Sequence, residues 1–316
     1  LTLSMYSKLD NKGNIITGTT VILIVSLVLI VIFIVNSINY IESENINSQE
    51  SDNFKYILDD YNKNLERLGR DSIAEETENL YHAHRIHDSR KDIKKILNKK
   101  LKSLNEEFGK KYGMDIRSEV ESVESTDSPW KVLFKVRLKA DKASQHFNGI
   151  IESNSSIEGL KDPLPYAKMP VPIYNVQNDG EKIHYFEALS QYLRIHNVKG
   201  YNAYLLASSP LIIKKCPYDP YVHHGDGNTL HECLKQGYFH ESADGSCYLC
   251  RLDGKGVCPH YGMEVFIQTR YIFKNDSVSC SDHVVFNDRY EGKYLDKYGL
   301  ILDPSHAKKY GLDYDD

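Results

Sequence analysis

Cysteine is missing from the first 215 residues of this 316-residue chain, a surplus of positive charge is missing throughout, and the short glycine-rich signatures of nucleotide enzymes are missing altogether. Each absence excludes something. With 39 basic residues against 44 acidic ones the net charge is −5, which gives a polyanion no overall attraction, so nucleic acid is not expected as a partner. There is no phosphate-cradling loop, no Gly-x-Ser-x-Gly elbow and no dinucleotide fingerprint. His231-Glu232 and His240-Glu241 begin like a zinc-protease helix, but Lys235 and Asp244 stand where the second histidine is required. His82, His84 and His87 do not share one helical face, so they are not expected to bind a metal. No catalytic residue is assigned, and an enzyme is not expected. Tryptophan occurs once, whereas tyrosine occurs 23 times, with 17 of those from Tyr166 onward.

What the chain does have is one long apolar run. Between Val21 and Val35, 14 of 15 residues are Val, Ile, Leu or Phe, the exception being Ser26. At roughly −0.3 to −0.6 kcal/mol each for insertion, these side chains favour lipid by about 4 to 8 kcal/mol. Residues 15–38 as a helix of about 36 Å exceed a hydrocarbon core of about 30 Å, so a transmembrane helix is expected there. Lys8 and Lys12 precede the run, while Glu42, Glu44, Glu50 and Asp52 follow it before the next lysine, Lys55. Lysines stay on the cytoplasmic side, so residues 1–14 are expected inside as a leader and the bulk of the chain outside, with membrane lipid as one partner. No Ala-x-Ala-like cleavage site follows the run, and the anchor is expected to be retained.

The phrase Asn11-Lys12-Gly13-Asn14, followed directly by the apolar helix, resembles the class III signal of archaeal type IV pilin-like proteins. That resemblance implies cleavage between Gly13 and Asn14, with Lys12 as the basic residue before the cut. It also implies a membrane-anchored surface protein whose partners are other envelope or filament subunits, in a structural or adhesive role. One position departs from the pattern: Gly18 stands where mature pilins often carry a glutamate, which puts filament assembly in doubt. Met5 is an alternative start that would leave a short basic leader.

Beyond the membrane run, Phe54, Ile57, Leu58, Tyr61, Leu65 and Leu68 recur at three- and four-residue steps, which predicts an amphipathic helix interrupted at Gly69. A second helix through Ile93, Ile96, Leu97, Leu101, Leu104 and Phe108 is predicted to end near Gly109 or Gly113, its wet face rich in lysine. Residues 39–113 therefore read as a helical stalk. The period then changes to two: Val132, Phe134, Val136 and Leu138 alternate with Lys131, Lys135, Arg137 and Lys139, and a strand over 147–157 is expected to return beside this one. Residues 114–160 read as a small antiparallel sheet. Pro163, Pro165, Pro170 and Pro172 predict an extended linker over 161–175, and residues 176–316 a Cys- and Tyr-rich head of mixed α+β structure. The expected class is α+β, with a head that makes contacts through its aromatic surface.

The sulfurs remain open between three chemistries. Cys216, Cys233, Cys247, Cys250, Cys258 and Cys280 lie on the side expected to face outward, where up to three structural disulfides are the leading expectation and no cofactor is needed. Fifteen pairings are possible. The alternative is zinc held by Cys247, Cys250, Cys258 and His260, with His223, His224 and Asp226 as further candidates in the glycine-rich stretch His223–Asn228. This would make the protein a zinc-binding module or an anchored zinc enzyme. A redox pair at Cys247 and Cys250 is the third possibility. Asn154 and Asn275 head glycosylation triplets in what read as polar loops.

Overall fold

The computed structural model describes residues 11–83, 88–169, 177–270, 277–287 and 292–314. Among them the chain forms two units, residues 1–59 and 60–316. It is a mixed α+β protein with an apolar N-terminal helix and small, mainly antiparallel sheets.

Helix α1 runs Asn11–Ala83. Within it Thr20–Ile38 has a mean hydropathy of 3.2 and none of its residues is buried. Large side chains point outward all round, Phe33 at 73% and Leu23 at 69% exposure. A soluble surface helix shows one apolar stripe; this one is apolar on every side, and it is long enough to cross a membrane. Ser26 returns its hydroxyl to the Ile22 carbonyl, so the one polar side chain between Val21 and Val35 is satisfied within the helix.

In the second unit, α1 does not break at Gly69. A Cβ there would sit 2.5 Å from Ser155 Oγ and 2.7 Å from the Phe134 ring. The glycine is where a sheet lies against the helix, and Ser155 Oγ donates to the Glu66 carbonyl at 2.7 Å. Helix α2 (Ser89–Tyr112) starts at Asp88, whose side chain accepts from the Lys91 amide, and stops at Gly113. It buries Ile93, Leu97, Leu101, Leu104 and Phe108, the predicted stripe. Strands β1 (Asp115–Ser125), β2 (Lys131–Lys142) and β3 (Gln145–Ser156) form an antiparallel sheet in that order. On central β2, Val132, Phe134, Val136 and Leu138 all go inward as the alternation predicts. Asn154 lies on β3, paired with Leu133, and is exposed on a strand rather than in the expected loop.

The expected linker is packed as far as it is described. Leu164–Lys168 is a short helix, α3, and Asp162, Leu164 and Pro165 are buried. Residues 170–175, with Pro170 and Pro172, lie outside the described residues. Residues 60–316 are instead sewn together across the expected boundary. Arg70 donates to the Ser156 and Glu158 carbonyls at 2.5 and 2.6 Å, Tyr248 bonds Thr77, and Trp130 Nε1 donates to Glu241.

The C-terminal half carries β4 (Gln177–Asn178), β5 (Lys182–His184), α4 (Glu187–Ile195), β6 (Ser208–Pro210), α5 (Thr229–Gln236), β7 (His240–Ser242), α6 (Tyr248–Leu252), β8 (Gly262–Glu264), β9 (Phe266–Arg270), β10 (Ser277–Ser281), α7 (Asp282–Phe286), β11 (Lys293–Leu295), β12 (Leu300–Leu302) and α8 (Pro304–Lys309). One sheet is ordered β11-β12-β10-β9-β6-β5-β4, with β10 and β12 parallel, and β7 pairs with β8 as a separate ribbon. Leu230, Phe266, Leu295, Leu300, Leu302, Tyr310 and Leu312 share one core. Of the described tyrosines from Tyr166 onward, Tyr166, Tyr185, Tyr192, Tyr204, Tyr248 and Tyr310 are buried, Tyr261 is exposed, and the rest are half-buried. At the centre Arg251, wholly buried, donates to Asp162 and Asp282, both at 2.6 Å from Nη2. Burial opposes the charge on each of the three groups, and only the close pairing offsets it.

Candidate metal centres

All six cysteines are free thiols and buried. They fall into groups of two, three and one, and a set divided in that way cannot close three disulfides. Cys280 stands apart on β10, with Tyr204 Oη at 3.5 Å and the Ile267 carbonyl at 3.7 Å. The other five converge with histidines in two sets of four donors each, every donor atom in a set lying within 4.8 Å of the others.

The first set is Cys216, His224, Cys233 and His240, all buried. Four separate pieces of backbone supply it. Cys216 follows a bridge between Lys215 and Phe239, and its amide donates to the Phe239 carbonyl. His224 lies in a 3₁₀ turn over Tyr221–Gly225. Cys233 sits in the last turn of α5, where Gly237, in the left-handed region at φ 66°, returns its amide to the Cys233 carbonyl. That turn brings the chain straight back through β7, which opens with His240. His224 Nε2 is 3.4 Å from Cys216 Sγ and 3.1 Å from His240 Nε2, and His240 Nε2 is 3.0 Å from Cys233 Sγ. Zinc with bonds of about 2.3 Å to sulfur and about 2.0 Å to nitrogen keeps tetrahedral donors roughly 3.3–3.8 Å apart, so these four need only small shifts to close on one ion. The tautomer is also set. His224 Nδ1 lies 2.7 Å from the Tyr221 carbonyl, which can only accept, so Nδ1 carries the hydrogen and Nε2 turns a lone pair into the set.

The second set is Cys247, Cys250, Cys258 and His260, the three thiols buried and the histidine exposed. Cys247 and Cys250 flank the first turn of α6. His260 Nδ1 lies 3.6 Å from both of their sulfurs, and the Cys247 amide donates to Cys258 Sγ at 3.3 Å. Ser125 Oγ on β1 reaches Cys247 Sγ at 3.0 Å, so the first sheet touches this cluster directly. The two sets lie towards opposite ends of the β7–β8 ribbon. His240 pairs with Glu264 at one end, and Ser242 pairs with Gly262, two residues after His260, at the other.

Electrostatics separates the thiols within each set. Cys216 is drawn down, chiefly by its bond from Cys233, and the same contact pushes Cys233 up. Contacts with Cys247 and then Cys250 draw Cys258 down, while its neighbours Cys247 and Cys258 push Cys250 up. Crowded thiols in burial cannot all ionise by themselves. A divalent cation removes that conflict, since it favours thiolate at every position at once. By donor type, number, spacing and second-layer bonds, both sets fit tetrahedral zinc.

Comparison with protein-family models, with curated proteins and with solved structures finds no match.

The sequence-predicted cluster of Cys247, Cys250, Cys258 and His260 is thus brought together as one set. Of the other predicted metal residues only His224 joins a set. His223 and Asp226 pair with each other in the open, 2.9 Å apart and more than half exposed, and belong to neither set. Cys216 and Cys233, two of the six disulfide candidates, join His224, and His240 completes a group that sequence reasoning did not assemble. A signal was present: spacings of seven, eight and six residues alternating Cys-His-Cys-His from 216 to 240. Lys12, Gly13 and Asn14 lie at the start of α1, and Asn275 lies outside the described residues.

Proposed function

We propose that this chain is a single-pass membrane protein whose residues 60–316 form a zinc-stapled module held outside the membrane, with a structural or binding role in the cell envelope. The observation that carries the zinc reading is the separation of five of the six cysteines into two closed sets of four N and S donors. A site with four protein ligands leaves no position for a substrate, so both centres act as staples and not as reaction centres. The membrane reading is supported by the uncovered apolar run Thr20–Ile38, and the orientation by Lys8 and Lys12 before it and the acidic stretch after it. The pilin-like phrase at Lys12-Gly13-Asn14 favours a processed anchor that joins other envelope or filament subunits.

The test is metal analysis and thiol counting on the full chain purified in detergent, together with protease protection of a C-terminal tag in intact cells. Two zinc ions per chain, six titratable thiols once the protein is denatured with chelator, and a tag cleaved from outside are the expected results. Metal-free protein whose mass is lowered by disulfide formation would overturn the zinc reading. A protected tag would overturn the orientation alone.

A further inference from the structure

A third group of donors lies beside the second end of β8, outside both thiol sets. It comprises His283 on α7, Asp303 at the start of α8 and His306 within α8, with one donor atom from each lying within 4.8 Å of the others. His283 is only 9% exposed, and both of its ring nitrogens lack a partner among the described residues. Burying an imidazole with neither nitrogen satisfied forfeits its hydration without return, so the position calls for an occupant. Its ring stacks on that of His306, with centroids 4.5 Å apart, and His283 Nε2 lies 4.0 Å from Asp303 Oδ2.

The two partners are set up to share that occupant. Asp303 spends Oδ1 on the cap of α8, accepting from the Ser305 amide, the Ser305 hydroxyl and the His306 amide, which leaves Oδ2 turned to the histidines. Oδ2 lies 2.8 Å from His306 Nδ1. The far nitrogen of His306, Nε2, is 2.8 Å from Glu264 Oε2. Glu264 is 1% exposed and is itself fixed by Lys309 Nζ at 2.8 Å, Tyr310 Oη at 2.5 Å and Ser281 Oγ at 3.2 Å. A buried carboxylate that takes the outer N–H of a histidine orients that ring and raises the basicity of its inner nitrogen, which is the outer-layer arrangement of metal-bound imidazoles.

We infer that His283, Asp303 and His306 form a third, open site for a divalent transition metal cation, with Glu264 as the carboxylate that orients His306. Two imidazoles and one carboxylate suit zinc, iron(II) or cobalt(II), and three protein ligands leave coordination positions for water or an exogenous ligand. Of the three, His306 also borders a surface cleft of about 240 Å³ lined by Glu241, Asp244, Tyr261, Ser305 and Lys309. This site is independent of the two thiolate staples.

Cobalt(II) titration of the full-length protein, stripped of metal and held in detergent, separates the three. The thiolate centres bind cobalt with intense sulfur-to-metal charge-transfer bands, whereas a nitrogen and oxygen site binds it without them. Three equivalents are expected, one of them silent in the charge-transfer region. His283→Gln and Asp303→Asn should each abolish the silent equivalent and leave both thiolate bands at wild-type intensity, which also reports that the variants are folded. Cys233→Ser should do the reverse, losing thiolate intensity and keeping the silent equivalent. A wild-type total of two equivalents, or a third that persists in both His283→Gln and Asp303→Asn, overturns the third site. Absent thiolate bands with the silent equivalent intact would instead remove the staple reading and leave this one standing.

Discussion

Replacing Cys233 by serine is the most direct challenge to the first staple. The side chain is wholly buried, and its sulfur lies 3.0 Å from His240 Nε2 in a set of four donors. Structural zinc in small four-ligand domains is held by about 10–16 kcal/mol at neutral pH. If one ligand of four carries about a quarter of a mid-range value, its loss weakens binding by roughly 3 kcal/mol, or on the order of 100-fold in Kd. The serine hydroxyl keeps the volume but does not ionise to a soft anion, so it does not restore the bond. Since metal bound only to the folded state stabilises that state, the melting transition of residues 60–316 should fall and should become dependent on added zinc. Competition against a chromophoric chelator measures the affinity, and melts with and without chelator measure the linkage. Cys280→Ser is the matched control, because Cys280 is just as buried but belongs to no donor set. It should leave zinc content unchanged. Equal zinc affinity in Cys233→Ser and wild type, or equal zinc loss in the two serine variants, would refute the reasoning.

Three further outcomes follow from the packing. Gly69→Ala forces a methyl group into Ser155 and Phe134 where helix and sheet meet, and overpacking of that kind should lower stability by about 1–3 kcal/mol in denaturant titration of the full chain. Arg251→Met leaves Asp162 and Asp282 buried without their cation and should cost about 3–5 kcal/mol, whereas replacing all three residues with apolar ones of similar volume should cost much less. Burial pushes the Tyr61 hydroxyl up to about 12 from an ordinary 10.0, so the folded state keeps its proton where the unfolded state loses it. Stability from this group is complete below about pH 10 and is lost between about 10 and 12, and Tyr61→Phe should flatten that alkaline limb in melts recorded against pH.

The sequence was most legible where a single period ran unbroken. The stripe of α2 and the alternation of β2 were readable because each has one wet face and one dry face along its whole length. Strand β1 was not readable. Ile116 and Val120 share a face, but the register shifts between Val120 and Ser122, so Val123 turns inward out of phase and the period-two signal cancels. Gly69 reads as an interruption in sequence because glycine weakens helices, yet the helix continues there because the close approach of Phe134 requires the missing side chain. Pro163 and Pro165 read as a linker, but Pro165 sits in the first turn of α3, where no amide is needed. Among the metal residues, Cys247, Cys250, Cys258 and His260 were visible because they fall within one short stretch. Cys216, His224, Cys233 and His240 come from four backbone pieces whose meeting depends on the turn after α5 and the bridge at Lys215, which no local pattern reports.

The order of the donors along the chain has a kinetic consequence. Every ligand of one group, from 216 to 240, precedes every ligand of the next, from 247 to 260, with no interleaving. Under the zinc reading proposed above, a polypeptide emerging N-terminus first exposes all four donors of one group before the first donor of the next, which favours pairing within each group.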